Sequence, residues 1–215
     1  MQRGLAEPEQ ALLYVITCPV GPYYKTGFKP VRLSADTKFV RAWPGGTGEA
    51  KVGGNYASTM KASAQANQAG YNQVLWLFGD KHEVTEVGAM NIFFVIENKE
   101  TKKEELITPP LTRGDILPGV TRRSILDLEQ KRGELVICER SIGMLEIVKA
   151  SREGRLKEAF GAGTAAVISP ISCIQWKGVD IDIDAPGKIS MRLWDDITGI
   201  QYGKVQGPEG WSVIV

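Results

Sequence analysis

Short apolar runs separated by glycine or charged breaks dominate the chain. Residues 74–78, 84–87, 92–97 and 105–108 are β-type segments split by Gly79-Asp80 and by a charged turn at 98–103. They predict a meander of antiparallel strands. An earlier β-branched run, 11–17, ends in Cys18-Pro19-Val20-Gly21-Pro22 and predicts a strand entering a turn. Residues 56–69, rich in Ala, Met, Gln and Lys and followed by Gly70, predict a helix. A second helix is expected over 121–132, with Ile125, Leu126 and Leu128 apolar and Gly133 closing it, followed by a strand at 134–140. Short helical pieces are expected at 144–152 and 153–160, ahead of a break at Gly161-Ala162-Gly163. Residues 166–171 and 173–176 are strand-like, and 189–201 is the last helix. Strands and helices mix without regular alternation, so the expected class is α+β and not a Rossmann fold.

Composition narrows the function classes. The 215 residues are 43% apolar and 24% charged with a net charge of +1, which gives no electrostatic case for a nucleic-acid or membrane partner. No apolar run approaches the ~20 residues of a membrane span. The first ten residues match neither a signal peptide nor a transit sequence, so secretion is not expected. Cys18, Cys138 and Cys173 are far apart and His82 is the single histidine, so neither a metal site nor a disulfide scaffold is expected.

The candidate chemistry begins at Gly45-Gly46-Thr47-Gly48-Glu49-Ala50-Lys51-Val52-Gly53-Gly54-Asn55-Tyr56. A lysine among glycine turns is either a solvated surface residue or a desolvated amine able to form a Schiff base. Pro118-Gly119 precedes a helix start at Val120-Thr121, where N–H groups can receive a phosphate, although Thr121 could simply act as N-cap. Thr164 and Ala165 lie in a small-residue turn whose N–H groups could face a carboxylate. Glu86 is a carboxylate in a β-patterned stretch, either on a solvated face or opposite a protonated ring nitrogen. Pyridoxal phosphate would use all of these together: Lys51 for its carbonyl, Tyr56 for its ring hydroxyl, Glu86 for its ring nitrogen, and Val120 and Thr121 for its phosphate.

The segments 12–20, Arg41-Ala42-Trp43, 51–56, Gln73-Val74-Leu75-Trp76-Leu77, 85–91, 117–123, 160–165 and Ile200-Gln201-Tyr202-Gly203 occur in one order. In this the chain resembles the eukaryotic branched-chain amino-acid aminotransferases, which are class IV (fold type IV) pyridoxal-phosphate enzymes. The resemblance implies their large domain, an α+β fold of mixed, mostly antiparallel sheets forming a pseudo-barrel flanked by helices. It implies that Lys51 is the Schiff-base lysine and general base. Tyr56, Glu86, Val120, Thr121 and Arg41 would bind the cofactor, and Thr164, Ala165 and Tyr23 the substrate. The implied reaction transfers the amino group of Leu, Ile or Val to 2-oxoglutarate by a ping-pong cycle, giving glutamate. The implied assembly is a homodimer, in the cytoplasm or the mitochondrion.

Three departures bear on that reading. Residues 1–10 match the interdomain linker, so 11–215 is expected to be the large domain and the N-terminal small domain to be missing. Ala166 and Ser169 stand where mammalian members carry a redox CxxC, and Ala89 stands where threonine is common. Cys173 is expected to pack in the interior. The alternatives left open are another fold type IV enzyme, such as a D-amino-acid aminotransferase or an aminodeoxychorismate lyase, and a catalytically incomplete fragment that binds cofactor.

Overall fold

The computed structural model describes residues 8–19, 21 and 29–213. Among them, β1 (Val31–Asp36) runs parallel to both β2 (Gln73–Phe78) and β8 (Val167–Trp176). On one side the sheet ends in β3 (Glu83–Val87), antiparallel to β2. On the other, β8 pairs with β7 (Leu156–Gly163), β7 with β4 (Asn91–Glu97), and β4 with β5 (Glu104–Thr108), all antiparallel. β6 (Val136–Glu139) then adds parallel to β5, and β9 (Val179–Asp182) pairs with β8. The order is therefore β3-β2-β1-β8-β7-β4-β5-β6. An isolated bridge between Val87 and Met90 closes the tight turn that leads from β3 into β4.

Both faces of the sheet are covered, and the strand alternation shows it. Along β4, Ile92, Phe94 and Ile96 enter a cluster with Leu33, Leu75, Val87, Ile147 and Ile174, beside α4 (Met144–Arg152). Phe93 and Val95 point the other way, towards Ile125 of α3 (Val120–Arg132) and Leu193 of α5 (Lys188–Gln201). Phe93 stacks on Phe160 with ring centroids 5.3 Å apart. A strand buried on both sides reads as the unbroken apolar run seen at 92–96. A third cluster sits under α2 (Met60–Gln68), where Ala62 and Ala66 meet Val74 and Trp76.

Buried polar groups lock the helices to this sheet. Glu158, in β7, accepts the N–H groups of Ile189 and Ser190 at 2.8 and 2.9 Å, in the first turn of α5. Gly187, the N-cap, offers no side chain to do so. The carboxylate thus satisfies two orphan donors and opposes the positive end of the helix dipole.

The α+β class agrees with expectation, as do β2 to β6, β8 and α3 to α5. Strands β1 and β9 were not anticipated, and five further details differ. Residues 153–160 form a turn and β7: their helix-favouring Leu, Lys, Glu and Ala are overridden by pairing with β4. The glycines of 161–163 continue that strand, and the turn is at 164–166. The simple meander is broken because β4 pairs with β5 and β7 and not with β3. The helix expected over 56–69 is split into α1 (Gly54–Ala57) and α2. Residues 11–17 are extended but unpaired, with Leu12 to Ile16 all at least 70% exposed, because a strand exists only through its partner.

Candidate active site

The lysine turn lies between β1 and α2. Asn55 builds it: buried at the start of α1, its Nδ2 donates to the carbonyls of Thr47 (2.6 Å) and Ala50 (2.8 Å), while Thr47 Oγ1 donates to its Oδ1 (2.8 Å). Lys51 leaves this knot with an exposed side chain, Nζ 5.0 Å from the centroid of the Tyr56 ring. Of the two settings open to the amine, the solvated one is found and the desolvated one is not. Lys51 and Tyr56 do share one side of the turn.

Glu86 is 3% exposed, and this excludes the solvated-face reading. Arg41 Nε lies 3.1 Å from its Oε2, without the alignment of a hydrogen bond, so the contact is an ion pair and Nε has no aligned acceptor. The Leu117 N–H donates to Glu86 Oε1 at 2.8 Å, and Asn91 Nδ2 approaches the same oxygen at 3.4 Å. Burial pushes the Glu86 carboxyl up to about 7, against the opposing pull of Arg41, the Leu117 N–H and Lys51; Asp115 adds to the rise. The influence of Lys51 places its charge within electrostatic reach of Glu86, although the two lie on different elements.

Asn91 links this carboxylate to the helix start. Its Nδ2 also donates to the Leu117 carbonyl at 2.9 Å, and its Oδ1 lies where a Cβ on Gly119 would come within 2.2 Å. Glycine is required there by space. Gly119, not Thr121, is the N-cap of α3, and no side chain caps the helix. Val120 is exposed and Thr121 nearly buried. The first-turn N–H groups therefore have no intrahelical partner and present the positive end of a thirteen-residue helix.

Thr164 and Ala165 occupy the exposed turn between β7 and β8. Side chains added at Gly161 or Gly163 would meet Met90, four residues after Glu86, so this hairpin flanks the β3–β4 turn. Arg41, Glu86 and the helix start at Val120 and Thr121 are thus linked through one set of contacts, with Lys51 and Tyr56 paired on the neighbouring turn within electrostatic reach of Glu86, and Thr164 and Ala165 at the edge. Tyr23 lies outside the described residues. Among the described residues no group of three or more His, Cys, Asp or Glu side chains could hold a metal. Asn55, Asn91 and Leu117 were not anticipated; Asn55 and Asn91 stand inside the quoted motifs but carry no chemistry of their own that would single them out.

A family model described as amino-transferase class IV matches residues 3–174. The chain belongs to the class IV aminotransferases. Within the class it is 52% identical over 217 residues to the branched-chain-amino-acid aminotransferase of Dictyostelium discoideum, covering 99% of this chain and 56% of that one. The crystal structure of the Escherichia coli branched-chain amino acid aminotransferase superposes with a TM-score of 0.74 at 26% identity, covering 90% of this chain and 59% of that one. A T.th. branched-chain amino acid aminotransferase, complexed with N-(5'-phosphopyridoxyl)-L-glutamate, gives a TM-score of 0.68 at 26% identity, over 86% of this chain and 56% of that one. The chain spans just over half the length of the curated relatives it matches.

Proposed function

We propose that residues 11–215 form the cofactor-binding domain of a branched-chain-amino-acid transaminase, with residues 1–10 as interdomain linker. The observation that carries this reading is a glycine-turn lysine within electrostatic reach of a buried carboxylate, which contacts join to an uncapped helix start. Those groups fit pyridoxal 5'-phosphate: an amine for a carbonyl, an acceptor for a ring N–H and a positive dipole end for a phosphate. When bound, that group supplies an electrophilic carbonyl and an electron sink for the Cα of an amino acid.

This chain's own residues do the rest. Lys51 Nζ is the nucleophile and, once free, accepts the proton leaving substrate Cα and returns it elsewhere in the cycle. Glu86, held by Arg41 and the Leu117 N–H, keeps a proton on a facing ring nitrogen. Tyr56 donates to a ring oxygen, and the Val120 and Thr121 N–H groups bind phosphate. The Thr164 and Ala165 N–H groups orient a substrate carboxylate, and Tyr23, outside the described residues, is assigned to substrate binding. Substrates on this reading are Leu, Ile or Val with 2-oxoglutarate, and the assembly is a homodimer. Similar proteins are named as cytosolic and as mitochondrial, which supports one of these two compartments. No helix among the described residues is long and apolar enough to cross a membrane.

The test adds pyridoxal 5'-phosphate to the purified chain. A new visible absorbance band is expected in the wild type and not in Lys51→Ala. No band in the wild type, or an undiminished band in the variant, would overturn the reading. Comparing L-leucine with D-alanine as amino donor tests the substrate class, and turnover of the D-substrate alone would assign the chain to another fold type IV enzyme.

A further inference from the structure

The stretch 114–117, between β5 and α3, touches both ends of the candidate site. The Gly114 carbonyl accepts the Glu49 N–H at 3.1 Å, two residues before Lys51. Gly48 packs directly on Asp115: a Cβ there would sit 2.6 Å from Asp115 Cα. On the other side, the Asp115 carbonyl accepts Arg41 Nη2 at 2.5 Å, and the Leu117 N–H holds Glu86. Four consecutive residues thus grip the lysine turn with one edge and the Arg41–Glu86 pair with the other.

The stretch is itself held by the Asp115 side chain, which is fully buried. Its carboxylate accepts Arg113 Nη2 at 2.7 Å and Nε at 3.4 Å. Arg113 also pairs with Glu83 at the start of β3 and lies over the Phe78 ring, 5.6 Å from its centroid. With Asp115 fully buried and Arg113 22% exposed, this ion pair is an expensive way to close a loop, since apolar residues of similar volume often do so at no loss of stability. The charge therefore points to a role beyond closure.

We propose that the Arg113–Asp115 pair, half-buried at Arg113 and fully buried at Asp115, is a positioning device that sets the Lys51 turn and the Glu86 carboxylate in one frame. Its consequence for catalysis rests on the function proposed above; the coupling between the two sites does not. The groups facing Glu86 are Arg41 from the segment after β1, Lys51 from the glycine turn, Asn91 from β4, and the Leu117 N–H with Asp115 from the 114–117 stretch. Arg41, the Leu117 N–H and Lys51 favour the ionised carboxylate, and Asp115 opposes it. Removing the Asp115 charge lets Glu86 ionise at lower pH.

The experiment uses the full 215-residue chain. Carbon-13 NMR of labelled glutamate carboxyls follows the Glu86 titration without cofactor, and stopped-flow absorbance follows capture of pyridoxal 5'-phosphate. Asp115→Asn is expected to move the Glu86 titration to lower pH and to slow capture about tenfold or more, the scale of a displaced reactive group. Glu158→Gln perturbs a buried carboxylate under α5 and controls for general destabilisation; both readouts are expected to stay at wild-type values. If either readout in Asp115→Asn also stays at the wild-type value while only its Tm falls, the pair is structural and the proposal is overturned. Should Asp115→Asn fail to fold, Arg113→Lys keeps the charge but loses the planar grip. It should slow capture without moving the titration, and wild-type capture would sink the proposal. A wild type that captures no cofactor counts against the proposed function, and the titration then decides the coupling alone.

Discussion

The ionisation of Glu86 carries a stability cost that can be measured directly. In the unfolded chain this carboxyl ionises near its ordinary value of 4.5, whereas in the folded protein burial holds it up to about 7. Below pH 4.5 both states hold the proton and the group is neutral to folding. As pH rises from 4.5 to about 7 the unfolded state gains the ionised form first, so stability is lost across that window and stays lost above it. At about 1.36 kcal/mol per pH unit, the interval comes to ~3 kcal/mol. Glu86 is almost wholly buried, so solvent screening takes little from this figure. Glu86→Gln mimics the protonated form at every pH. Urea unfolding of the cofactor-free protein, followed by tryptophan fluorescence from pH 4.5 to 8, should therefore show the wild type losing ~3 kcal/mol relative to the variant. Parallel pH profiles for the two proteins would refute the reasoning. A bound ring that offers a proton or a donor to the carboxylate should offset the same loss, so pyridoxal 5'-phosphate ought to stabilise the wild type more at pH 8 than at pH 5.

Two further substitutions probe the frame around the site. Glu158→Ala orphans the Ile189 and Ser190 N–H groups and removes two charge-assisted bonds; it should cost ~3–5 kcal/mol in urea unfolding. A loss under ~1 kcal/mol would mean that water replaces the carboxylate. Gly119→Ala drives a Cβ to 2.2 Å from Asn91 Oδ1. It should displace the start of α3 and weaken pyridoxal 5'-phosphate binding about tenfold or more, while phosphate-free pyridoxal, measured in the same titration, should be weakened much less.

The legible parts of the fold were those whose local pattern and tertiary role agree. α3 and α5 have the expected bounds to within a residue, and β2 to β5 stand between the glycine and charged breaks that marked them. What stayed hidden depends on partners distant in sequence. Residues 156–160 carry helix formers but lie between β4 and β8, and Val31–Asp36 is a strand because β2 and β8 flank it. The reverse holds for residues 11–17, which have strand composition and no partner. The same division runs through the site. Lys51, Glu86 and the Val120 turn could be picked out because each carries chemistry in a recognisable local setting. Thr112-Arg113-Gly114-Asp115 looks like an ordinary polar turn, and only the packing of Gly48 and Arg41 against it makes Asp115 an interior residue.

The placement of β1 has a kinetic consequence. Its neighbour β8 is about 140 residues downstream, with Val31 opposite Ile171, and this contact must close a very long loop before it returns any energy. Local hairpins such as β2–β3 and β4–β5 can form far sooner. The Lys51 turn follows β1, which β2 can hold early on one side, so its final setting near Glu86 waits for the β8 contact to complete the sheet on the other. Competence to capture cofactor is therefore among the last properties a refolding molecule acquires, and it serves as a stricter test of a native preparation than its secondary structure.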